Sequence, residues 1–80
     1  MTEFQKALDK ELLREIEYSL DQGTVGMSLD CLMANASTQD LLFKDGAPKG
    51  TNARWLFNQE FKDSVKRISA IAKSRGFEIY

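Results

Sequence analysis

The residues that usually carry enzyme chemistry are sparse here. There is no histidine, and Cys31 is the only cysteine. The common general base near neutral pH is therefore missing. The usual zinc ligand sets cannot be assembled, and no intrachain disulfide can form. A nucleophilic thiol needs a neighbour that lowers its pKa, and the sequence around Cys31 supplies none. Glu11 and Glu15 stand one helical turn apart. Paired carboxylates perform acid–base work when a cleft raises one pKa, but these two border an apolar stripe, where rim charges are ordinary. The segment 46–51, GAPKGT, has the glycines and lysine of a phosphate loop. It lacks the Gly-Lys-Ser/Thr ending, and no strand leads into it. The expectation is a non-enzymatic protein without cofactor or metal.

Binding chemistry is better represented. Lys62, Lys66, Ser69 and Lys73 fall within about 60° of one another on a helical wheel. Such a row could track phosphates, with Lys49, Arg54 and Lys44 from a neighbouring loop adding to it. It could equally lay its stems over the core edge and turn its charges toward Glu11 and Glu15; that structural role is the favoured expectation. A helix-turn-helix over Ser28–Lys44 is rejected. Its second helix carries Asp40, Leu41, Leu42 and Phe43 where a recognition helix needs basic and amide side chains. Trp55, the lone tryptophan, is expected to pack in the core; its place beside a loop also suits an interface.

These residues need elements to hold them. Phe4, Leu8, Leu12, Ile16 and Leu20 recur every four positions, with Ala7 and Leu13 widening the stripe. That spacing predicts a helix from Glu3 to about Asp21. Thr2 and Gln5 have capping-box spacing, and Gly23 suits the residue after the helix end. Ser28 is a candidate N-cap for a short helix carrying Leu29, Leu32, Met33 and Ala36. Ser37 to Asp40 reads as a further helix start, with Leu41 to Phe43 reaching the core. Lys44–Thr51 is a loop by its Asp-Gly, Pro and Lys-Gly steps. From Asn52 no Gly or Pro appears until Gly76, and Phe57, Phe61, Val65, Ile68 and Ala72 follow helical spacing, with Trp55, Leu56 and Ile71 broadening that face. Phe77 should pack back after Gly76, and Phe77–Tyr80 has extended character.

The fold expected is mainly α: one domain over residues 1–80, with three or four helices and a short C-terminal strand. The alternative is α+β. In it, residues 41–57 form a hairpin, Asn58 caps a shorter last helix, and Phe77–Tyr80 is the third strand.

Composition sets the outer limits. Eighty residues with 42% apolar and 29% charged content describe an ordinary globular chain. A domain this small is marginally stable alone, so association is favoured. Residues 1–40 carry three basic and eight acidic side chains, a net of −5; residues 41–80 carry eight and four, a net of +4. The acidic, amphipathic start does not read as a signal peptide, and no stretch is long and apolar enough to cross a membrane. A cytoplasmic regulatory or interaction protein is expected, acting on a protein partner or a second copy of itself. The alternative is a nucleic-acid-binding accessory protein. The residues assigned to either role are Lys62, Lys66, Lys73, Lys49, Arg54 and Trp55.

Overall fold

A computed structural model describes all 80 residues. Thr2 opens the first helix, α1 (Glu3–Asp21), with a complete capping box: its hydroxyl accepts from the Gln5 N–H, and the Gln5 side chain accepts from the Thr2 N–H. Leu8, Leu12 and Ile16 are fully buried along its inner face, with Phe4, Leu13 and Leu20 packed beside them. Ala7, expected in that stripe, is exposed. Gly23 ends the helix with φ of +84°, a conformation that costs glycine little.

A two-residue strand follows, β1 (Gly26–Met27), in a stretch the sequence marks only as a connector. Ser28 caps α2 (Leu29–Met33) by accepting from the Cys31 N–H. The next cap is Asn35, not Ser37; its side chain accepts from Ser37 and Thr38 at the start of α3 (Ala36–Leu42). Ala36, expected on the stripe of the second helix, therefore opens the third. Residues 44–51 form the expected loop. Buried Gln39 ties it down, donating to the Met33 carbonyl at 2.7 Å and to Asn52 Oδ1 at 2.8 Å, and accepting from the Gly50 N–H at 2.7 Å.

Residues 41–57 form no hairpin. After the loop comes a 3₁₀ helix, Asn52–Phe57, then Asn58 in an extended conformation, whose side chain caps the Phe61 N–H of α4 (Gln59–Ser74). The extended residue breaks the helical phase. Phe57, expected on the buried face, is thus 81% exposed, and Leu56 is 43% exposed. A hydrophobic residue just before an N-cap usually packs on the fifth residue after it. Here that position is Lys62, which gives Phe57 no apolar partner. Ile71, expected to broaden the buried face, is also exposed. Phe61, Ile68 and Ala72 form the buried stripe with Ser64 among them, and Phe77 folds back into the core after Gly76.

The last element, β2 (Glu78–Ile79), pairs with β1 in parallel, Gly26 opposite Glu78 and Met27 opposite Ile79. The architecture is mainly helical with this short strand pair.

α1 and α4 run side by side in the same direction. Three contacts show it: Thr2 donates to Glu60, Arg67 to Asp9 and Arg75 to Glu17, each pair 58 residues apart in sequence. A constant separation means equal advance along both axes, hence parallel helices. The chain between them must return to the starting end, and α2, α3, the loop and the 3₁₀ helix make that journey.

Candidate docking groove

The lysine row sits on α4, whose buried face divides two flanks. At 100° per residue, Arg67 lies on one side of the Phe61–Ile68–Ala72 stripe and Lys62, Lys66 and Lys73 on the other. α1 occupies the arginine flank. Arg67 grips Asp9 with two hydrogen bonds, 3.0 and 3.2 Å, and this raises the already high pKa of its guanidinium. The expected turn of the lysines toward Glu11 and Glu15 does not occur. Both carboxylates pair with Arg14 on their own helix. Lys62, Lys66 and Lys73 have no carboxylate within 4.0 Å.

On the lysine flank, α4 leaves a groove of about 230 Å³ against α2 and the 3₁₀ helix. Phe61 and Val65 come from α4, Leu29 from α2 and Leu56 from the 3₁₀ helix; Lys62 and Lys66 complete the lining. Exposed Phe57 adjoins Leu56 in sequence. Small-molecule sites typically span about 300–1,000 Å³, so this volume is closer to that of one large side chain. The local reasons for the groove are visible in the chain. The extended Asn58 displaces Leu56 and Phe57 from the core, and Ser28 fixes the start of α2 with Leu29 in its first turn.

The other candidate residues are placed elsewhere. Lys73 lines a separate depression of about 280 Å³ with Val25, Gly76, Phe77 and Glu78. Lys49 pairs with Asp40. Arg54 pairs with Asp45 at 3.3 Å and lies over the rings of Phe43 and Trp55, 5.1 Å from each centroid. Asp45 is held below the usual aspartate value, first by the Ala47 backbone N–H and then by Arg54. Trp55 stacks on Phe4 at 5.2 Å and meets Phe43 edge-on at 6.3 Å, and its Nε1 is buried without an acceptor. The structure thus brings Lys62 and Lys66 together with apolar surface, and commits Lys49, Arg54 and Trp55 to internal contacts.

Sequence reasoning missed Leu56 as groove wall. Its signal was the Asn58 cap, which separates Leu56 and Phe57 from the helical phase of Phe61. Cys31 is exposed and lines neither depression, and no three His, Cys, Asp or Glu side chains converge as a metal site. No helix is long and apolar enough to cross a membrane. Comparison with protein-family models, curated proteins and solved structures gave no match.

Proposed function

We propose that this chain is a small non-enzymatic regulatory or interaction protein, cytoplasmic, that works by binding a protein partner in the groove between α2, the 3₁₀ helix and α4. One observation carries the reading: Lys62 and Lys66 lack carboxylate partners and flank an apolar groove whose wall, Leu56, adjoins exposed Phe57. An apolar groove rimmed by unpaired cations suits a partner that brings one apolar side chain and opposite charge. Burying one large side chain there supplies roughly 1.5–3 kcal/mol. A second copy of the chain is one version of such a partner.

Nucleic acid is the second reading, favoured by the unpaired lysine row and by Phe57, an exposed ring on which a base could stack. It ranks lower because the two lysines line a groove of apolar side chains, which a phosphate backbone cannot fill.

The test compares the intact chain, Leu56→Glu and Tyr18→Ala as baits in a native extract, with and without nuclease. The reading expects a protein retained by the intact chain and by Tyr18→Ala, lost with Leu56→Glu and indifferent to nuclease. Retention that Leu56→Glu leaves unchanged, or that nuclease abolishes, overturns it.

A further inference from the structure

We infer that the partner segment is acidic: one large apolar side chain enters the groove, and carboxylates beside it meet Lys62 and Lys66. This rests on the groove reading and specifies its occupant. Charge complementarity points to this occupant. Lys6, Arg14, Lys49, Arg54, Arg67 and Arg75 each have a carboxylate within 4.0 Å. Both lysines on the groove are among the cations left over, although the chain carries more acidic than basic residues. They stand four residues apart on one helix, so their backbones are separated by about 6 Å along its axis. Carboxylates one turn apart on a partner helix, or two residues apart on an extended segment, match that interval.

The apolar part sets the anchor. Leu29, Leu56, Phe61 and Val65 present hydrocarbon only, and about 230 Å³ suits a single leucine, methionine or phenylalanine. Carboxylates flanking such an anchor gain most where the anchor has excluded water, because ion pairs strengthen as the local dielectric falls. A basic segment would bring like charges onto the lysines, which costs affinity and excludes it. Phe57 follows Leu56 in the chain, is 81% exposed and does not line the groove. An oligonucleotide would satisfy the lysines but leave the apolar lining wet.

The experiment is selection from a random peptide library with the intact chain as bait, in parallel with Lys62→Glu/Lys66→Glu and with Leu56→Glu. All three substituted side chains are exposed, and far-ultraviolet circular dichroism confirms that each variant is folded. The intact chain should enrich peptides with one Leu, Met or Phe beside Asp or Glu. The double lysine variant should bind these roughly tenfold more weakly and enrich Lys or Arg beside the same anchor. Leu56→Glu should lose the enrichment. Neutral-flanked anchors enriched equally by the intact chain and the lysine variant overturn the acidic occupant and leave the groove reading standing. Enrichment indifferent to Leu56→Glu, no enrichment at all, or displacement of the peptides by a single-stranded oligonucleotide overturns both.

Discussion

Phe61→Ala removes a ring that is 1% exposed, lies 6.3 Å from Trp55 and also lines the groove. The loss of buried hydrocarbon and the cavity left behind should cost about 3–5 kcal/mol. Chemical denaturation measures this; an unchanged midpoint would mean that the ring is not core. Thr38→Val should act in the opposite direction. Thr38 is fully buried, and its Oγ1 has no partner. A methyl group in place of an unpaired hydroxyl removes a desolvation cost of about 1–3 kcal/mol, offset by small packing changes. The expected result is neutral to modestly stabilising; destabilisation beyond about 1 kcal/mol would show that the hydroxyl is bonded in solution. At this scale the sequence was legible where chemistry is local. Thr2 with Gln5, Ser28 and Gly23 declare their roles through neighbours within a turn. The unpaired state of Lys62 and Lys66 was not legible, because it depends on which flank of α4 faces α1.

The loop after α3 is held by Asp45, whose carboxylate accepts from the Ala47 N–H at 3.1 Å and from Arg54 at 3.3 Å. These partners favour the charged form and put its folded pKa below the ordinary 3.8. A depressed acid stabilises the fold above its unfolded value, and that contribution is lost as pH falls through the folded value. The loop should therefore keep its order from neutrality down to about pH 4 and loosen only below. An NMR titration following the Asp45 carboxyl carbon and the Ala47 amide checks this, with Asp45→Asn removing the transition. A carboxyl midpoint above 3.8 would contradict the arrangement. Element by element, the sequence showed α1, the loop, the body of α4 and the terminal strand, because each has a local period or punctuation. It did not show the 3₁₀ helix, whose six residues read first as part of the last helix and second as an alternating strand. β1, only two residues long, has no period to read; its pairing with β2 defines it.

At the scale of the molecule, the parallel alignment of α1 and α4 decides everything on the lysine flank. Sequence revealed two amphipathic helices that must share a core, but two such stripes can meet in either direction. The direction shows in long-range partners: Glu60 for Thr2, Asp9 for Arg67 and Glu17 for Arg75. Parallel helices align their dipoles unfavourably, so cross-helix pairs of opposite charge are well placed to fix the register. Charge reversal tests this. Asp9→Arg sets two guanidiniums together on a half-buried seam and should lower the thermal midpoint, as should Arg67→Asp by joining two carboxylates. Combining them restores an opposite-charge pair at the same place, so the double variant should recover most of the loss, and a double-mutant cycle isolates the coupling. Additive losses would mean that Asp9 and Arg67 do not face each other. α1 would then not run along the arginine flank of α4, and the opposite flank, with its lysines, would be left to face the carboxylates of α1.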